Sequence, residues 1–312
     1  MLLIEVPGNP VPQGAVAGMI DTPDGARLRY ARFPATGSPL KGTVTLLQGR
    51  AEFIEKYFEV IGELQARGFH VVTFDWRGQG GSSRHGGNAL RGHVRDFAEF
   101  RRDLDTILKQ IVLAECPGPH FALAHSTGGA VLLSDTARLR TRFSRAVLSS
   151  PLIGLLDTGW REMLAFQAAR WLCRLGLGRM FIPGGNALLT PDYADNRQTS
   201  DQTRFLRMNA VVNRRPELGV GSPTNAWLAA AGDTLLSFRE IDFGPSVHLP
   251  MLMIASGADR IVSTRASEEL ATRMVAAGFV VVPGARHEIL MEADVYRDQF
   301  WAAFDAFIPG SD

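Results

Sequence analysis

Three residues far apart in the chain have the types and surroundings needed to make an activated nucleophile. In Phe121-Ala-Leu-Ala-His-Ser-Thr-Gly-Gly-Ala-Val-Leu-Leu133 a short apolar run meets a serine between small residues, and a helical pattern starts at once. A serine that stands clear of a parallel sheet needs such a sharp strand-to-helix turn, which strains its backbone and admits only small residues two positions away, here Ala124 and Gly128. A hydroxyl is a weak nucleophile until a base takes its proton, and the base needs a third group to orient it. Asp259, in Ala255-Ser-Gly-Ala-Asp259, and His287, in Pro283-Gly-Ala-Arg-His287, each follow an apolar run by a few residues, beside glycines that permit tight loops. The expected set is Ser126, His287 and Asp259, and its chemistry would be attack on an acyl carbonyl. Around Ser126 alone, a plain Ser-Gly turn capping a helix fits equally well.

Acyl transfer also needs donors for the developing oxyanion. One is the backbone N–H of Thr127, at a helix N-terminus. The loop after Thr43-Val-Thr-Leu-Leu47 should supply the other, from Arg50 or, failing that, Ala51. The remaining histidines are less well placed. His125 adjoins Ser126 but is expected to point elsewhere; His70 and His120 start strands, and His248 precedes one. His85 and His93, in or after the loop that follows Asp75, are the candidates for a substrate contact. Asp75 itself opens Trp76-Arg-Gly-Gln-Gly-Gly-Ser82 and reads as the anchor of a hydrogen-bonded turn.

These residues need a scaffold that brings distant loops to one edge. After a Pro- and Gly-rich arm over residues 1–18, Met19 to Phe33 reads as a hairpin turning at Pro23-Asp-Gly25. Apolar strands follow at 43–47, 70–75, around 121–124, 145–152, 250–257 and 279–283, separated by helices over about 52–67, 93–114 and 292–308. Strands apolar on both faces that alternate with amphipathic helices imply a parallel sheet covered on both sides, with its functional loops at the strands' C-terminal ends. Residues 153–247 break this rhythm with helical stretches at about 158–177, 201–214 and 223–240. In the first, Trp160, Met163, Leu164, Ala168, Trp171, Leu172 and Leu175 form one apolar stripe. The expectation is a helical cap over the active edge, dividing the chain into a core of 1–152 and 248–312 and a cap of 153–247. Equally, that stripe could simply pack on the core.

Composition narrows the classes. The chain's 312 residues, 46% of them hydrophobic, suffice for one large α/β core with an insertion, and 33 basic against 32 acidic residues offer no general field for nucleic acid. Cys116 and Cys173 lack any metal-ligand spacing and read as reduced buried thiols, which suggests a cytosolic setting. The first ten residues carry no basic cluster and two prolines, unlike a signal peptide, and no run reaches the roughly 18 apolar residues of a membrane span. Membrane contact would be peripheral.

With these residues in place the chain resembles the serine α/β-hydrolase superfamily, and within it the capped group of monoacylglycerol lipases and bacterial lysophospholipases. Gln48-Gly-Arg-Ala-Glu-Phe-Ile-Glu-Lys-Tyr-Phe58, Phe74-Asp-Trp-Arg-Gly-Gln-Gly-Gly-Ser82, Ala124-His-Ser-Thr-Gly-Gly129, Ser256-Gly-Ala-Asp259 and Gly284-Ala-Arg-His-Glu-Ile-Leu290 are similar to that group's blocks in order and spacing. Ala124 replaces the usual first glycine of the elbow, and Gln48 stands where many members carry histidine. The resemblance implies a mostly parallel sheet of about eight strands, a helical cap, two-step ester hydrolysis through Ser126, and no metal or organic cofactor. The favoured substrate is a lysophospholipid, with Trp160 and Trp171 against its acyl chain and Arg170 and Arg174 pairing with its phosphate. A monoacylglycerol lipase or carboxylesterase, an acyltransferase, and a non-catalytic lipid-binding relative remain as alternatives. The amphipathic 158–175 stretch also suggests peripheral membrane contact.

Overall fold

The computed structural model describes residues 2–84, 88–156 and 159–308, which leaves His85 outside it. The strands are β1 (Val16–Asp21), β2 (Arg27–Phe33), β3 (Gly42–Leu47), β4 (Phe69–Phe74), β5 (His120–His125), β6 (Arg145–Ser149), β7 (Met251–Ser256) and β8 (Ala277–Val282). They form one open sheet in the order β1-β2-β4-β3-β5-β6-β7-β8. The β1–β2 and β2–β4 pairs are antiparallel and every other pair is parallel. The fold is the expected mostly parallel α/β sheet. The hairpin begins at Val16, so the N-terminal arm gives its last residues to β1.

Both faces are covered. Helices α1 (Phe58–Ala66), α2 (Phe97–Ile107), α3 (Thr127–Leu133), α4 (Trp160–Arg174), α5 (Gln202–Arg214), α6 (Asn225–Ser237), α7 (Thr264–Ala271) and α8 (Asp294–Phe307) follow in chain order. On one face Phe97, Phe100 and Leu104 of α2 and Val131 of α3 pack on Val72, Phe74 and Leu148. On the other, Phe58 and Ile61 of α1 and Phe300 and Phe304 of α8 cover Val44, Phe69 and Phe121. Continuous apolar strands therefore have partners on either side, as a buried parallel sheet requires. Edge strand β8 departs from that pattern, with Val280 and Val281 each 39% exposed.

Helix starts follow their caps rather than their apolar periodicity. The sequence suggested helix from residue 93, but α2 starts at Phe97 because the Asp96 side chain accepts from Ala98 N. Asp201 and Thr224 cap α5 and α6, their side chains accepting from Arg204 N and Trp227 N, the third residue of each helix.

The chain runs from β3 to β4 on one side and then to β5 on the other, a strand-order reversal at which α/β sheets open a crevice. The loop after β3 and the turn after β5 meet there. Between β6 and β7 the described residues add no strand to the sheet and carry α4, α5 and α6. Helix α4 packs on α6 so closely that a Cβ on Gly232 would lie 2.5 Å from the Phe166 ring.

The outward and inward faces of α4 are the reverse of the expectation. Glu162, Phe166 and Ala169 are its buried residues, whereas Trp160, Leu164, Trp171 and Leu175 are 69%, 53%, 62% and 69% exposed. Phe166 and Ala169 turn that side of the helix inward by packing on α6, and Glu162 on the same side accepts from Leu155 N at 2.8 Å and pairs with Arg239.

Candidate active site

Ser126 stands between β5 and α3 with φ 49° and ψ −114°, a conformation unfavourable for any residue with a side chain. The turn is tight because the next strand is close: a Cβ on Gly128 would approach Leu47 O to 2.5 Å and Gln48 O to 2.7 Å. Ala124 is fully buried, so both small neighbours answer a steric demand.

His287 arrives on the loop after β8 and Asp259 on the loop after β7. Ser126 Oγ donates to His287 Nε2 at 3.0 Å, and His287 Nδ1 donates to Asp259 Oδ2 at 2.8 Å. Asp259 Oδ1 accepts from the amides of Ile261 and Val262 at 2.7 and 2.9 Å. Burial works against its charge, but the His287 ring and these two amides outweigh it and hold the carboxyl below the ordinary range. A carboxylate anchored in this way fixes the imidazole tautomer and leaves Nε2 free to accept the serine proton.

In the turn after β3, Gly49 N donates to Glu52 and Ala51 N donates to Gln79 Oε1 at 3.1 Å. Among the described residues the Arg50 amide has no such acceptor, and Thr127 N–H belongs to the first turn of α3, where helix amides have no intrahelical partner. The Arg50 side chain is half-buried, bonded to Gly221 O and stacked 5.5 Å over Trp227, and desolvation lowers it to about 10.

A cavity of about 240 Å³ opens above Ser126, walled by Leu152, Leu155, Pro223, Trp227, Ile261 and Val262 with Arg50 at its side. Its walls come from both the sheet loops and the 153–247 segment. Trp160, Trp171, Arg170 and Arg174 do not line it: both tryptophans face outward, and the two arginines line a different cavity. The expected contact of these four with substrate above Ser126 is corrected by the same inversion of α4.

Beneath the catalytic edge lies a charged cluster that the sequence reading passed over. Lys56 Nζ donates to Glu52 Oε1 at 2.7 Å and to Glu288 Oε1 at 2.6 Å, and Tyr57 Oη donates to Glu52 Oε2 at 2.6 Å. All four residues are buried. Burial opposes each charge; Lys56, His125 and Tyr57 nevertheless hold Glu52 down to about 2, Glu288 is pushed up, and the two carboxylates raise Lys56. Glu52, His125 and Glu288 each bring one ligand atom within 4.8 Å of the other two, and the Lys56 ammonium is the cation that bridges the carboxylates. The adjacency of Glu288 to His287 and the i,i+4 spacing of Glu52 and Lys56 were the available signals.

His125 makes no hydrogen bond to Ser126 among the described residues and turns into this cluster. Its Nδ1 donates to Ser149 O at 3.1 Å, its Nε2 lies 3.5 Å from Glu52, and its ring is 4.9 Å from that of His287. Burial lowers it to about 4. His93 is buried against Thr224 Oγ1 at 3.2 Å and lines the second cavity. Asp75 accepts from Arg29 Nε at 2.6 Å, Ile54 N at 2.9 Å and Gly81 N at 2.6 Å, and Gln48 Nε2 reaches Asp75 at 3.3 Å, so the Gln48 side chain serves the sheet rather than the site. Cys116 and Cys173 are unpaired and half-buried, more open than expected.

An open eight-stranded sheet of this order, with a strained serine after the strand at the crevice, a histidine after the last strand and an acid after the one before, defines the α/β-hydrolase class. Residues 38–294 match the family Hydrolase_4, described as serine aminopeptidase, S33, and the chain belongs to that family; it is a serine hydrolase. It is 30% identical over 291 residues to lysophospholipase L2 of Escherichia coli strain K12, covering 88% of this chain and 82% of that one. It is 27% identical over 273 residues to the monoacylglycerol lipase of Mycolicibacterium smegmatis, covering 86% and 89%. The crystal structure of a soluble variant of monoglyceride lipase from Saccharomyces cerevisiae, in complex with a substrate analogue, shares the fold with a TM-score of 0.72 at 21% identity, over 95% of this chain and 94% of that one.

Proposed function

We propose that the chain hydrolyses a single-chain lipid ester, with lysophospholipid as its substrate and Ser126 as its nucleophile. The observation that carries this reading is the continuous hydrogen-bonded line from Ser126 Oγ through His287 to Asp259, at 3.0 and 2.8 Å, opening on a cavity with apolar walls. Ser126 Oγ attacks the ester carbonyl as its proton passes to His287 Nε2. The Arg50 and Thr127 amides receive the oxyanion, and the imidazolium returns the proton to the departing glycerol oxygen. Water, deprotonated by the same histidine, then attacks the acyl-enzyme, releases the fatty acid and restores the serine. Leu152, Leu155, Ile261 and Val262 suit an acyl chain, and the relationship to lysophospholipase L2 supports the charged headgroup.

Residues 153–247 act as the cap of this site on a core of 1–152 and 248–312; Leu155, Gln198, Pro223 and Trp227 are its contribution to the cavity wall. The outward apolar face of α4 suits peripheral contact with a membrane, which in a reducing cytosolic setting would be the inner face. Among the described residues no helix is long and apolar enough to cross one.

One observation favours a second reading, a monoacylglycerol lipase or carboxylesterase. Among the described residues lining the Ser126 cavity, Arg50 is the sole arginine and its guanidinium is already bonded to Gly221 O. Fatty-acid release from a lysophospholipid and from the monoacylglycerol of the same chain separates the two. Faster release from the lysophospholipid is expected; preference for the neutral lipid would move the assignment to the second reading. Supplying an acyl acceptor and analysing the products tests transfer in place of hydrolysis.

A further inference from the structure

The cavity that Arg170 and Arg174 do line measures about 490 Å³ and shares no lining residue with the one above Ser126. Helix α6 separates them, turning Trp227 toward Ser126 and Ala226, Ala229, Ala230 and Asp233 toward this second space. Its rim is strongly basic. Arg95, Arg170, Arg174 and Arg179 line it against one carboxylate, Asp233, which Arg170 engages through Nε at 2.9 Å. One arginine is thus balanced in place, and Arg95 and Arg174 add positive charge to a lining whose floor is Gly176, Gly178, Ala226, Ala229 and Ala230. A guanidinium fork matches the oxygens of a phosphate, and several around one concavity suit an anion better than any neutral group.

The surroundings name the source of that anion. Arg174 sits at the end of α4 with its guanidinium 5.3 Å over the Trp171 ring. Trp171, Leu175, Leu164 and Trp160 form the exposed apolar face of the same helix. Four exposed large apolar side chains beside a basic cavity give nothing to a phosphate ion in solution. A phospholipid surface satisfies both, its acyl region receiving the tryptophans and leucines and its headgroup layer reaching the arginines.

We propose that this cavity takes the phosphate of a phospholipid headgroup presented by a membrane, as an accessory site distinct from the one that holds the scissile ester. The proposal rests on the membrane contact put forward above and is independent of which ester is cleaved. It makes the arginines anchors that orient α4 on the surface, with the Ser126 cavity on the other side of α6.

Vesicle flotation tests it, comparing phosphatidylglycerol with digalactosyldiacylglycerol, a bilayer surface without phosphate. The wild-type protein should bind the phosphatidylglycerol vesicles roughly ten- to hundred-fold more tightly, with a preference that added salt weakens. Replacing Arg95 and Arg174 together by Gln should bring the two surfaces to parity, and Lys at the same two positions should recover only part of the preference, because an ammonium is a point charge without the guanidinium fork. Equal binding of the wild type to both surfaces would leave the membrane contact standing and overturn the phosphate site. Binding to neither would overturn both. Full preference retained in the Gln variant would overturn the assignment to this cavity.

Discussion

Lys56 is the residue whose removal should be felt most widely, because it ties together the two loops on which the proposed chemistry depends. Its ammonium bridges Glu52, which holds the Gly49 amide beside Arg50, and Glu288, which follows His287. In Lys56→Met the volume is kept and the bridge is lost. Two carboxylates within 4.8 Å then face each other without a cation. At an effective dielectric constant of about 20 their repulsion is roughly 3 to 4 kcal/mol, and breaking a buried ion pair from one side costs about 3 to 5 kcal/mol. One carboxyl must therefore take up a proton, its pKa rising by roughly 2 to 3 units from the usual carboxylate value, to near neutrality. The sign of the pH dependence follows. A carboxyl whose folded pKa is raised binds a proton in the native state before the unfolded state does, so the variant regains stability as pH falls through about 7 toward 4. Urea unfolding of wild type and Lys56→Met at pH 5, 6, 7 and 8 should show a penalty that is largest above pH 7 and shrinks on acidification. On a soluble ester kcat should fall by roughly ten- to hundred-fold with KM little changed, and Lys56→Arg should recover most of both losses. A penalty under about 1 kcal/mol, or one independent of pH, would refute the reasoning, since an exposed ion pair behaves in that way.

Three further outcomes follow from the geometry. His125, lowered to about 4 from an ordinary 6.5, is neutral in the fold, so the unfolded state binds its proton first and stability falls as pH drops from 6.5 to 4. That window should carry about 3 kcal/mol, and His125→Gln should flatten it in urea titrations. Gly128→Ala, whose new methyl would meet backbone oxygens of Leu47 and Gln48, should cost on the order of 1 to 3 kcal/mol and depress kcat on any ester, as thermal unfolding and initial rates would show. Ser126→Gly should unfold at a higher temperature than wild type, by about 1 kcal/mol of stability, while losing all turnover, because glycine relieves the positive φ.

The sheet and the three loops that meet at Ser126 were legible because buried parallel strands leave uninterrupted apolar runs, and each site residue lies a few positions beyond the end of one. What escaped has physical causes. Periodicity found the apolar stripe of α4 but carries no information on which side is buried; there Phe166 and Ala169 pack on α6 beside the Glu162–Arg239 pair, and Trp160 and Trp171 stay outside. The start of α2 was misplaced because Val94 continues the apolar rhythm ahead of the Asp96 cap. The Lys56–Glu288 pair joins residues 232 positions apart, a distance over which neither propensity nor spacing speaks. The orientation of His125 depends on Ser149 O of the neighbouring strand, which becomes a partner only when β5 and β6 pair.

The central claim is that Ser126 is an activated nucleophile driven by His287. Incubation with a fluorophosphonate, followed by peptide mass analysis, addresses it directly. The expected result is one adduct on Ser126, absent in Ser126→Ala and formed far more slowly in His287→Gln. An adduct on another serine, or labelling of Ser126 at an undiminished rate in His287→Gln, would contradict it.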